Sequence, residues 1–228
     1  MPLRLMPRRV DSQEGKRHVK TVPIKLIKAQ TSEHKSHIDT DFCVASIRAL
    51  DSLASFFGPE QVFYLSQDDK ARIPLGIPAV QKQAAVLMHM EYKVTLPDHD
   101  WVKADKHKLI PSVYAGINIK PFGMGETGRI TYSGPTVIRI RSGKHDSSSA
   151  AGHAMDLRYI LKNEIFKSIS QTTDGEVKPV VIVCSDGGPD ENPRYESVIR
   201  FAIDNFKMYD LDGYFAVTNA PGRSAFNM

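Results

Sequence analysis

Val180-Val181-Ile182-Val183-Cys184-Ser185-Asp186-Gly187-Gly188-Pro189 is the segment from which the fold follows. Five apolar residues in succession, four of them β-branched, predict a strand buried on both faces. Gly187, Gly188 and Pro189 end it with turn chemistry. Asp186 then stands at the C-terminal end of a core parallel strand, where open α/β sheets bind ligands and carry chemistry. Upstream, Gln61–Gln67 predicts a second core strand, and Asp68 and Asp69 follow it directly. Two strand ends carrying acids make a constellation where one alone would be weak.

The remaining pattern supplies the elements around this pair. Asp39–Phe57 predicts a helix with Asp39 or Thr40 as its cap and Phe42, Ile47, Leu50 and Leu53 near one face; Gly58-Pro59 stops it. Val113–Ile119 and Thr136–Arg141 predict strands joined as a hairpin across a glycine-rich connection. Ser147–Ser149 offers caps for a helix whose face runs through Ala154, Leu157, Leu161 and Ile165. Asn192-Pro193 predicts a helix start, with Val198, Ile199, Ala202, Ile203 and Phe206 as its buried face. Tyr214–Thr218 predicts a last strand. Weaker signals suggest strands at Val22–Ala29 and Ala84–Leu96, and a polar surface excursion over Pro97–Leu109.

Three strands, a helix, a strand, a helix and a strand define an α/β fold. The expectation is a mixed sheet of about five strands flanked by helices: the first three pair antiparallel, and the later ones join through helices and run parallel. The domain layout expected is a flexible basic arm over 1–20, a helical N-terminal segment over 21–60 and a core over 61–228 with an insertion at 70–112.

The chain has 228 residues, hydrophobic content of 41%, charged content of 25% and a formal net charge of +4. These are values for a globular protein, and the basic excess suits a polyanionic partner. Arg4, Arg8, Arg9, Lys16, Arg17, Lys20, Lys25 and Lys28 crowd the start. No apolar run approaches the ~18 residues a membrane span needs. The two cysteines, Cys43 and Cys184, are expected as small core residues of an intracellular protein.

The element order resembles the ribonuclease H-like catalytic core of DDE transposases and retroviral integrases. The residues carrying the resemblance are Leu65-Ser66-Gln67-Asp68-Asp69-Lys70 and Val183-Cys184-Ser185-Asp186-Gly187-Gly188-Pro189. It implies that Asp68 and Asp186 are the first and second metal-binding catalytic acids, with Asp69 as the alternative to Asp68. Alternation along a strand allows only one of that adjacent pair to face the metals. It also implies a two-Mg²⁺ site for phosphodiester cleavage and strand transfer. Such ions, about 4 Å apart, stabilise the attacking and leaving oxygens. DNA is the implied partner, with Lys70 and Arg72 as phosphate contacts; a nuclear location and a homo-oligomer are compatible with it.

The family's third acid lies on the helix after the last strand, and no Asp or Glu follows Asp212 here. The expectation is a core truncated before that acid, with a DNA-binding remnant lacking turnover as the alternative. Asp190 and Glu191, in the turn after Asp186, are expected to be poorly placed to replace it.

Other motifs carry less. Gly123-Met124-Gly125-Glu126-Thr127-Gly128 has dinucleotide spacing but precedes a strand-like run, so it predicts a turn. His99 and His107 among Asp98, Asp100 and Asp105 predict a polar loop. His145 and His153 flank a serine run with no nucleophile elbow. Asp146-Ser147-Ser148-Ser149 together with Ser185-Asp186-Gly187 suggests a von Willebrand A-like metal-dependent binding domain. In that case Ser148 and Asp186 would share one Mg²⁺, though Ala150 replaces the last serine of that loop.

Overall fold

The computed structural model describes residues 37–70, 72–74, 76–77, 101–102 and 108–220. The basic arm, the strands expected at 22–29 and 84–96, the His99 and His107 group and the chain after Ala220 lie outside the described residues. The main unit spans Ser32–Ile73 and Lys108–Met228. In the other unit, Gly76–Ile77 and Trp101–Val102 form a short antiparallel pair; both lie in the expected insertion, and Trp101–Val102 falls in the part expected to be a surface excursion.

The principal elements of the main unit are α1 (Thr40–Phe57), β1 (Val62–Asp69), β2 (Lys108–Ile119), β3 (Thr136–Ser142), α2 (Ala150–Lys162), α3 (Lys167–Ser170), β4 (Val180–Ser185), α4 (Glu196–Met208) and β5 (Gly213–Thr218). The strands lie in the order β3-β2-β1-β4-β5. β2 is antiparallel to β1 and β3, while β4 is parallel to β1 and β5. This mixed α/β sheet has the order and directions of a ribonuclease H-like fold, as expected.

Both faces of the sheet are apolar, so both need cover. Val62, Tyr64, Ile182 and Cys184 face α1, where Ala54 packs against them. Phe63, Leu65, Val181 and Val183 face Leu157, Ile160 and Leu161 of α2 and Phe166 before α3. All six residues of β4 are buried, as its uninterrupted apolar run requires. Each such side chain contributes about 1.5–3 kcal/mol by leaving water. Gly58 takes φ +80° and its N–H bonds the Ala54 carbonyl, ending α1 where Gly58-Pro59 predicted. Ser149 caps α2 by accepting from the Gly152 N–H at 3.1 Å, the role predicted for the serine run.

Several expectations fail at helix faces. α2 ends at Lys162, leaving Ile165 outside it and exposed. Phe42 is exposed on α1. On α4, Ile199, Ile203 and Phe206 are exposed, and the buried residue is Asn205, which accepts from Arg158 Nε at 2.8 Å. The sheet is broad enough for α2, but α4 rests on α2 and β5, so a polar tie to α2 occupies its inner side. Helical periodicity shows that one stripe is apolar; the neighbours decide how much of it is covered.

The β2–β3 connection depends on backbone contact. A Cβ on Gly134 would lie 1.9 Å from the Gly116 carbonyl oxygen. Gly128 in the same connection has open space around it. Gly134→Ala is expected to cost several kcal/mol in urea denaturation. Gly128→Ala is expected within about 0.5 kcal/mol of wild type.

Candidate metal centre

The site lies where β1 and β4 end side by side. Their parallel register pairs Ser66 with Cys184, so Asp68 and Asp186 each follow two residues later at the same end of the sheet. Pleating then divides the β1 acids. Phe63 and Leu65 face α2, and Asp69 continues that set; Val62 and Tyr64 face α1, and Asp68 continues theirs.

Asp69 meets His153, from the first turns of α2, with Oδ2 at 3.9 Å from Nε2. Asp190 Oδ2 is 3.4 Å and Glu191 Oε1 3.7 Å from the same nitrogen. Asp69, His153 and Asp190 each offer a ligand atom, all within 4.8 Å of one another. Asp68 instead forms an ion pair with Lys70. Asp186 Oδ1 accepts from the Gly188 N–H at 3.2 Å, which fixes the turn, and Gly187 takes φ +90° within it. Lys70 and Arg72 are exposed at the end of β1. Ser148 Oγ lies 2.9 Å from His153 Nε2.

The turn after Asp186 therefore brings in two acids that were expected to be poorly placed. The Glu191 and Asn192 N–H groups both donate to the Gly188 carbonyl, and this tight turn folds Asp190 and Glu191 back over the α2 side of the rim. Sequence spacing carries no sign of this, since the direction of a turn depends on backbone angles at glycines. His153 was visible only as one of two histidines flanking a serine run. Its position one turn into α2, on the face that Ala154 and Leu157 define, was the available signal.

Crowded acceptors set the electrostatics. Glu191 has an essentially buried side chain; Oε1 accepts from Gln67 Nε2 at 3.3 Å, while Oε2 has no hydrogen-bond donor. Burial first, then the neighbouring Asp186 carboxylate, then Asp190 and Asp69, raise the Glu191 carboxyl to about 10. Asp190 moves the other way, to about 2, because His153 and Ser148 hydrogen-bond its charged form. Asp69 Oδ1 is also buried without a partner. Converging carboxylate oxygens with orphaned lone pairs, and an imidazole beside them, form a donor set suited to a divalent cation.

Behind the rim, a buried network holds His153. Arg141 of β3 and Asp156 of α2 are ion-paired and nearly inaccessible. Arg139 Nε reaches the other Asp156 oxygen at 3.2 Å, and Arg141 Nε donates to Ser112 Oγ at 3.1 Å. Tyr114 OH donates to Asp156 Oδ2 at 2.7 Å and lies 2.7 Å from His153 Nδ1.

No protein-family model matches the sequence, and no curated protein matches it. Among solved structures, the chain is similar to the Mos1 strand transfer complex at 12% identity and TM-score 0.42, over 94% of this chain and 53% of that one. It is similar to the Mos1 mariner paired end complex with Mn at 13% identity and TM-score 0.42, over 92% of this chain and 51% of that one. The chain thus spans about half the length of these structures.

Two outcomes follow from the site's electrostatics. Asp156→Ala removes the buried partner of Arg141 and leaves it only the exposed Asp146 at 3.8 Å, so it is expected to cost about 3 kcal/mol or more in urea denaturation. The Glu191 carboxyl is held above its unfolded value of about 4.3, so its contribution to stability is complete below that pH and is lost as pH rises toward 10. In metal-free buffer the wild-type Tm should fall between pH 5 and pH 9, while Glu191→Gln should flatten that fall; parallel profiles would contradict the assignment.

Proposed function

We propose that the chain is a transposase-derived nucleic-acid-binding protein whose rim of acids holds a divalent ion against a phosphodiester. The observation that carries this is the convergence of Asp69, Asp190 and Glu191 with Asp186 at the shared end of β1 and β4. Acids that repel each other and leave buried oxygens without donors need a counter-charge. A phosphodiester brings its own negative charge and binds at such acids only with a cation between them.

The residues proposed to hold the ion are Asp186 and a β1 acid. Asp69 shares the α2 side with Asp190 and Glu191, which supports it over Asp68. A divalent ion is proposed, the resemblance implying Mg²⁺. When bound, it would neutralise charge on the phosphate and activate an attacking oxygen. Lys70 and Arg72, exposed at the end of β1, are proposed to contact phosphates flanking the bound linkage. Asp68 restrains Lys70 through their ion pair. Leu157, Ile160 and Leu161 of α2 pack directly on the strands behind the rim. Cleavage and joining of DNA is the activity this arrangement serves, and binding without turnover remains a distinct state of the same surface.

Fluorescence anisotropy with a labelled DNA duplex tests the reading. Affinity is expected to fall steeply between 50 and 200 mM salt, with the slope of log K against log salt reduced by about one for each of Lys70→Ala and Arg72→Ala. If the duplex is cut in Mg²⁺, Asp186→Asn is expected to abolish cutting while preserving binding. Absence of salt-dependent binding to duplex and single-stranded DNA alike would overturn the proposal.

A further inference from the structure

The Tyr114 hydroxyl has a single proton, and the acceptor-only Asp156 carboxylate takes it at 2.7 Å. Arg141 reinforces this, since its guanidinium donates both to Asp156 and, at 3.2 Å, to the Tyr114 oxygen. The short contact between that oxygen and His153 Nδ1, 2.7 Å, therefore has Nδ1–H as its donor. This fixes the ring orientation and turns Nε2 to the rim, where it contacts Ser148 Oγ at 2.9 Å and a bound cation would take the place of the proton that Asp190 accepts from it at 3.4 Å. Nε2 faces Asp69 Oδ2 at 3.9 Å, Asp190 Oδ2 at 3.4 Å and Glu191 Oε1 at 3.7 Å. With a cation in place of the Nε2 and Glu191 protons all four are acceptors, and the space between them fits that cation. Two ligand atoms each about 2.0–2.2 Å from one ion lie within about 4.4 Å of each other, and the separations from Nε2 fall inside that limit. Beside the group, a cavity of about 40 Å³ lined in part by Gln67, His153, Asp190 and Glu191 leaves room for a metal-bound water.

We infer that Asp69, His153 and Asp190 form a mixed nitrogen–oxygen site that selects an imidazole-accepting divalent ion, of the Mn²⁺ or Zn²⁺ type, over Mg²⁺. His153 Nε2 is a direct ligand. Tyr114, Asp156 and Arg141 are positioning residues that hold its other nitrogen, as the outer partners of metal-bound histidines do. Two orphaned buried oxygens, Asp69 Oδ1 and Glu191 Oε2, supply further donors at the same place. Selectivity follows from the ligand set. Mg²⁺ favours oxygen-only coordination and keeps its waters, whereas the transition ions gain from imidazole. The inference deepens the proposed rim site, on whose divalent ion it rests, but it requires no nucleic acid.

The experiment uses the full chain, stripped with chelator and free of DNA. Mn²⁺ is titrated by electron paramagnetic resonance, and bound Mn²⁺ is probed by pulsed methods for coupling to ¹⁴N. Wild type is expected to bind Mn²⁺ about tenfold or more tightly than competing Mg²⁺, with ¹⁴N coupling. His153→Gln is expected to lose the coupling and weaken Mn²⁺ roughly 10–100-fold, with Mg²⁺ affinity little changed. Asp190→Asn should weaken both ions, and Asp204→Asn, on the exposed side of α4, should alter neither. The wild-type coupling is decisive even if a variant fails to fold. Mn²⁺ bound without ¹⁴N coupling, or coupling that persists in His153→Gln, overturns the mixed site and leaves an all-carboxylate rim intact. Absence of Mn²⁺ binding overturns both the mixed site and the ion of the proposed function. ¹⁴N coupling without salt-dependent DNA binding sustains the metal site and removes only the nucleic-acid reading.

Discussion

The buried pair of Arg141 and Asp156 is the constraint around which the rest of the main unit is arranged. It joins β3 to α2 across the face of β2, and Tyr114 and Ser112 of β2 complete it. Charges this inaccessible are tolerated only when each lone pair and proton has a partner. The helix cannot slide along the sheet without breaking several of these contacts at once. Gly152 belongs to the same arrangement: a Cβ there would come within 2.9 Å of Arg141 Nη1, so a small residue lets α2 close over the guanidinium. A network of this kind contributes geometric definition more than net stability.

What that definition delivers is the position of one imidazole. His153 sits where the polar network ends and the acidic rim begins, with one ring nitrogen in each. On one side, hydroxyl, carboxylate and guanidinium hydrogen-bond one another. On the other, carboxylates crowd together with too few donors, which is why the same short stretch, Asp190-Glu191, contains one acid pushed down and one pushed up. A folded protein holds such frustration only where packing enforces it, and a frustrated, partly open rim at the C-terminal end of parallel strands is where α/β sheets bind their ligands.

Much of this was legible in the chain itself. The five principal strands were anticipated, because an unbroken β-branched run or an alternating one reports burial directly. The stop at Gly58-Pro59 and the cap at Ser149 rest on local backbone chemistry. α4 was harder: its apolar positions are genuine, yet Ile199, Ile203 and Phe206 remain exposed because no layer of the described residues lies over them. β2 begins at Lys108, earlier than its pattern suggested, since pairing with β3 carries the ladder through Pro111.

The sequence by itself determined that acids stand at the ends of two core strands, because strand identity and strand ends are written in short-range pattern. Only the tertiary structure decided which acids meet. Pleating sends Asp68 and Asp69 to opposite faces, a glycine turn folds Asp190 and Glu191 back over one of them, and a helix closing a separate stretch of chain sets His153 among them. Those placements depend on register, turn direction and packing between residues far apart in the chain, none of which leaves a periodic trace in the order of the amino acids.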